Sequence, residues 1–125
     1  GMLCPCLPGI ADSEAALNEM FAAVLKCGVE DIWLEPVNGR GRALIDTSLA
    51  LQNAGLDTDA AAADTIREAV DWSHYATSLI KTAIRVAKSK DVLDKLHILL
   101  YPKKLRLEHE AELKREKRGI IWLQE

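Results

Sequence analysis

Apolar and polar positions divide this chain into short strand-like runs separated by helical stretches. Met2-Leu3-Cys4-Pro5-Cys6-Leu7 is a largely apolar run that ends in the turn pair Pro8-Gly9, and it reads as a strand. Asp12 or Ser13 then caps a helix, with Glu14 favourably placed in the first turn. Leu17, Met20, Phe21, Val24 and Leu25 fall on the stripe of one buried helical face. Gly28 stops that helix as its C′ glycine. Val29 to Val37 is a second apolar run, centred on Ile32-Trp33-Leu34. Its unbroken apolarity predicts a strand covered on both faces, as in parallel sheets. Strand, capped helix, glycine and strand make a βαβ unit with a right-handed crossover.

Glu35 to Arg42 is a polar, glycine-rich loop, and a helix is expected from about Ala43 to Asn53, closed by Gly55. Leu56 to Asp59 reads as a linker with capping residues. Ala60 to Lys88 is rich in good helix formers. Ile66, Val70, Ala76, Ile80, Ala83 and Ala87 approximate one stripe; Trp72, Tyr75, Leu79 and Val86 form a second. A helix, or a pair broken near Asp71 to Ser73, is therefore packed on two sides. Leu96 to Tyr101 is a third strand ended by Pro102, and residues 103–118 read as a charge-dense, solvated helix. Gly119 to Leu123 is a last apolar run. The order β-α-β-α-α-β-α-β predicts an α/β architecture, about three to four mostly parallel strands with covering helices. At 125 residues it is one domain over residues 2–125. Gly1 reads as a remnant of tag removal. Apolar strands at both ends suggest a piece of a larger barrel.

Composition narrows the function classes. Hydrophobic residues are 49% and charged residues 28%, enough apolar surface for a core and too much for general disorder. Sixteen basic against nineteen acidic residues give a net charge of −3, which disfavours nucleic-acid binding by bulk charge. No apolar run approaches the ~18–20 residues of a membrane span, and no signal peptide is visible. Three cysteines, Cys4, Cys6 and Cys27, fit free thiols in a reducing cytoplasm. Cys4 and Cys6 would share one side of a strand. No second pair completes a zinc set, so no metal site is assigned. The plain reading is two small, semi-buried residues; a nucleophilic cysteine lacks an identifiable base.

In parallel α/β folds, ligands bind beyond the carboxyl ends of the strands. Pro8-Gly9, Glu35 to Arg42 and Tyr101-Pro102 fall there. Glu35 and Asn38 can hydrogen-bond a ribose or an amine, and Arg40 and Arg42 can hold a carboxylate or phosphate. The plain alternative is a solvated turn with two ordinary arginines. Gly39-Arg40-Gly41 lacks phosphate-loop spacing, and His109-Glu110-Ala111-Glu112-Leu113 lacks the second histidine of HExxH. His74 reads as a helix residue and His97 as a satisfied core histidine. No catalytic residue is assigned.

Leu7-Pro8-Gly9-Ile10-Ala11-Asp12 and Ile32-Trp33-Leu34-Glu35-Pro36-Val37-Asn38-Gly39-Arg40-Gly41 together resemble a known family. The chain looks like the C-terminal part of radical S-adenosylmethionine proteins of the spore photoproduct lyase or DNA-repair-photolyase-like branch. Trp72-Ser73-His74-Tyr75 and Leu99-Leu100-Tyr101-Pro102 are consistent with it, so the resemblance covers roughly Leu3 to Pro102. It implies a partial (β/α) barrel, with S-adenosylmethionine and a [4Fe–4S] cluster at the mouth of the full-length protein. Pro8 and Gly9 would lie near that cofactor's methionine or adenine, Glu35 and Asn38 would point into the mouth, and Arg40 would sit beside it. The family's C-x3-C-x2-C motif does not occur here. The expectation is therefore a fragment that is inactive and cofactor-free alone. The alternative is a free-standing α/β binding domain with an anion or nucleotide site at residues 35–42. A sheet cut from a barrel exposes edges and a face, which predicts a homodimer or higher oligomer. Nucleic acid as a partner follows only from the family analogy, because Glu108, Glu110, Glu112 and Glu116 interleave the basic cluster.

Overall fold

The computed structural model describes residues 1–39 and 42–124. Its four strands are β1 (Met2–Cys6), β2 (Ile32–Pro36), β3 (Leu96–Leu100) and β4 (Ile120–Trp122). Its helices are α1 (Glu14–Lys26), α2 (Ala43–Asn53), α3 (Asp57–Thr65), α4 (Ala69–Ser89) and α5 (Leu107–Leu113). All strand pairs are parallel and the spatial order is β1-β2-β3-β4. In such a singly wound sheet every right-handed crossover returns on the same side. On that side α4 packs against α1, α5, β2 and β3, whereas α2 and α3 pack chiefly on each other, beside Gly39 and Gly9 at the strand ends.

Side-chain burial follows this one-sidedness. Ile32, Leu34, Pro36, Leu96, Ile98 and Leu100 face the helices and are buried; Trp33, Glu35, His97 and Leu99 alternate with them and are half-buried. The expectation of strands covered on both faces is corrected. An apolar run reports hydrophobicity and not how many layers cover it. The core is completed by Leu17 and Phe21 of α1, Leu79, Ile80 and Ile84 of α4, and Leu113 of α5, each essentially free of solvent. Each such side chain contributes about 1.5–3 kcal/mol on burial.

Local chemistry explains the element ends. Ser13 caps α1, its Oγ accepting the Ala16 N–H at 3.1 Å. Asp12 instead closes the preceding turn, accepting the Gly9 N–H at 2.9 Å. Gly28, at φ +72°, ends α1 in the left-handed region, where a Cβ is costly. Between β2 and β3 there are three α-helices: of the two alternatives for residues 60–88, the pair forms and not the single helix. Leu56 to Asp59, expected as a linker, contains the first turn of α3. The break falls at residues 66–68 rather than near Asp71 to Ser73. Trp72 and Ser73 stay helical because tertiary partners satisfy their polar atoms, described below.

The charged segment 103–118 also needs correction. Only Leu107–Leu113 is α-helical, and it is not simply solvated: His109 and Leu113 are buried. Ser73 Oγ holds this helix to α4, lying 2.7 Å from His109 Nδ1 and accepting the Arg106 N–H at 2.9 Å. Gly1 takes part in the sheet, its carbonyl accepting the Trp33 N–H at 2.7 Å. No helix among the described residues is long and apolar enough to cross a membrane.

Candidate functional site

The C-terminal ends of β1, β2 and β3 carry the three expected segments side by side, because neighbouring parallel strands end on the same edge. What holds them is α4. The Tyr75 hydroxyl accepts the Val37 N–H at 3.1 Å and donates to the Cys6 carbonyl, so one phenol bridges the ends of β1 and β2. Trp72 Nε1 donates to the Val37 carbonyl at 2.8 Å. Both main-chain polar groups of Val37 are thus satisfied by aromatic side chains one helical turn apart. Lys104, just past β3, donates from Nζ to the Gly39 carbonyl at 2.9 Å and ties the third segment to the second.

Burial of Trp72, Tyr75 and Val37 makes these bonds matter. A buried amide or carbonyl left without a partner costs about 1–3 kcal/mol. Burial drives the Tyr75 phenol well above its ordinary range, so it remains protonated as the donor to Cys6.

The sequence-derived site residues fall into distinct surroundings. Pro8 is buried and Gly9 exposed. Gly9 sits at φ +77° beside α3, where a Cβ would lie 3.4 Å from both Ala62 Cβ and Asp59 Oδ1. Glu35 is half-buried on the uncovered sheet face. Asn38 follows the clamped Val37 and is half-buried. Arg40 lies outside the described residues. Beyond Tyr101, a cavity of about 480 Å³ opens against Pro102, Lys103, Leu123 and Gln124 and widens the same end of the sheet.

Cys4 and Cys6 do not share a side. The register shifts between Leu3 and Cys6, which interrupts the alternation. Cys6 enters the core and Cys4 stays half-buried. Burial raises the Cys4 thiol pKa, with the Glu35 carboxylate adding to the effect. Burial pushes Cys6 up to about 12, reinforced by Cys4 and Asp12. Neither environment favours thiolate. Cys27 caps the far end of α1, at the opposite edge of the sheet. These three cysteines do not fit an iron–sulfur cluster. No group of three or more metal-ligating side chains forms among the described residues.

His97 is not a core residue. Its Nε2 lies 2.9 Å from Asp31 Oδ1 and its ring stacks on Trp33 at 4.6 Å, near the N-terminal edge of the uncovered face. His74 is exposed on α4 and meets the His109 ring edge-on at 4.5 Å.

Sequence reasoning missed Trp72, Tyr75 and Lys104 as builders of the site. A usable signal was present: two aromatics with polar tips, three apart on a helix, present both tips on one face. Comparison with protein-family models, curated proteins and solved structures returns no match to this chain.

Proposed function

We propose that this chain is the C-terminal part of a radical S-adenosylmethionine-type barrel and is catalytically incomplete alone. The observation that carries the reading is the singly wound parallel sheet with one uncovered face, its three strand-end segments tied together at the C-terminal edge. That is the geometry of a barrel wall, whose inner face and mouth are completed by further strands. In the assembled protein, Glu35 and Asn38 would hydrogen-bond the amine or ribose of S-adenosylmethionine, with Pro8 and Gly9 lining its path and Arg40 beside it. That cofactor supplies a carbon-centred radical when reduced by a cluster. The cluster's ligands would have to come from elsewhere, since Cys4, Cys6 and Cys27 do not converge. Three free cysteines are consistent with a reducing cytoplasm as the compartment.

The coding sequence upstream of Met2 tests this reading. An in-frame C-x3-C-x2-C region is expected; a stop codon directly upstream would overturn it. The second reading, an α/β domain binding an anion or nucleotide through residues 35–42, is favoured by the clamp on that segment. It would then stand, with a second copy covering the open face.

A further inference from the structure

Asn38 is followed by Gly39, and asparagine is one of the thermally labile residues. In a flexible chain the Gly39 nitrogen attacks Asn38 Cγ, and the glycine offers no Cβ to hinder it. A C–N bond forms, the side-chain nitrogen leaves as ammonia with the Gly39 amide proton, and a succinimide results. Water then opens either carbonyl, giving aspartate or isoaspartate.

Two features oppose that reaction here. Val37 is fixed at both its N–H and its C=O by Tyr75 and Trp72. Gly39 is fixed by Lys104 at its carbonyl. Ring closure requires rotation about the Asn38 Cα–C bond, which swings Gly39 away from Lys104. The pocket around Gly39 is also tight: a Cβ there would lie 3.1 Å from Lys104 Nζ and 3.2 Å from Leu44 Cδ1. A side chain at this position would have to push Lys104 and Leu44 aside, so close packing favours the glycine that makes Asn38 labile and also restrains it.

We propose that Asn38 is a latent deamidation site held closed by the Trp72–Tyr75–Lys104 clamp. These three are positioning residues, keeping Asn38 an uncharged amide at the strand-end site. Conversion to aspartate would place a second carboxylate three residues from Glu35 and turn the site against anionic ligand groups. This inference is independent of which ligand the site takes.

The test follows Asn38 by mass spectrometry and by isoaspartate-specific methylation in mildly alkaline buffer. The folded chain is compared with a synthetic peptide spanning residues 34–43. Ring closure has to break the Lys104–Gly39 hydrogen bond and work against the Val37 clamp, so Asn38 loss in the folded chain should be slower than in the peptide by at least about tenfold. Lys104→Met should recover roughly fivefold of that protection as faster loss, and Lys104→Arg, which keeps a donor, should not. Tyr75→Phe should accelerate loss similarly if it folds; Lys104→Met, on a partly exposed side chain, carries the test if it does not. Equal rates in protein and peptide would overturn the proposal. So would an unchanged rate in Lys104→Met.

Discussion

Glu35 and Cys4 face the same open side of the sheet, and the carboxylate adds to burial in holding the thiol protonated. Glu35→Gln removes that repulsion. The Cys4 pKa should fall and its alkylation at fixed, mildly alkaline pH should speed up. Unchanged Cys4 reactivity would separate the two side chains. Cys6 makes a pH prediction of definite sign. Its thiol titrates at 9.0 when unperturbed and at about 12 when folded. Below 9.0 both states keep the proton, and stability is intact. Between 9.0 and about 12 the unfolded chain releases a proton that the native state retains, so stability falls as pH rises. Urea denaturation across that window should show a steeper loss for the native sequence than for Cys6→Ala. Parallel slopes would contradict it.

At the scale of elements, α5 is short and is held by the buried Leu113, by the Lys81–Glu112 pair and by Ser73. Ser73→Ala leaves the Arg106 N–H and His109 Nδ1 without their buried partner. A loss of about 1–3 kcal/mol is expected, with hydrogen exchange rising first in the amides of residues 107–113. Uniform protection in that variant would show that Leu113 and the Lys81–Glu112 pair suffice to anchor the helix. The Ser73–His109 pair explains where sequence reading succeeded and where it stopped. Leu17 and Phe21 repeat at helical spacing and are buried as expected, and Gly28 ends their helix. Local pattern carried that much because the partners lie within a few residues. The expected break near Asp71 to Ser73 does not form there, because serine's preference for caps is overridden by His109, which is 36 residues away. The clamp was illegible for the same reason: Tyr75 meets Cys6 at a separation of 69 residues. The strand-end placement of Pro8, Glu35 and Asn38 was legible, since strand order alone sets it. Their surroundings depended on long-range packing.

Across the whole molecule, helices cover one sheet face and leave the other to Trp33, Glu35, His97 and Leu99. Among the described residues, both edge strands also lack a neighbour on their outer side. Exposed edges and a face that carries Trp33 and Leu99 favour association. Sedimentation equilibrium of the isolated chain should give a dimer or larger species, and Leu99→Glu should shift it toward monomer. A monomer at all concentrations would contradict the account of the open face. We propose that the C-terminal ends of β1, β2 and β3 form the binding site. Titration of S-adenosylmethionine into the assembled full-length protein with this segment isotope-labelled, followed by amide chemical shifts, tests it most directly. Shifts are expected at Gly9, Glu35, Val37, Asn38, Gly39 and Tyr101, with Asp31, Leu96 and Gly119 at the opposite edge unmoved. Shifts confined to that opposite edge, or none at saturating ligand, would contradict it.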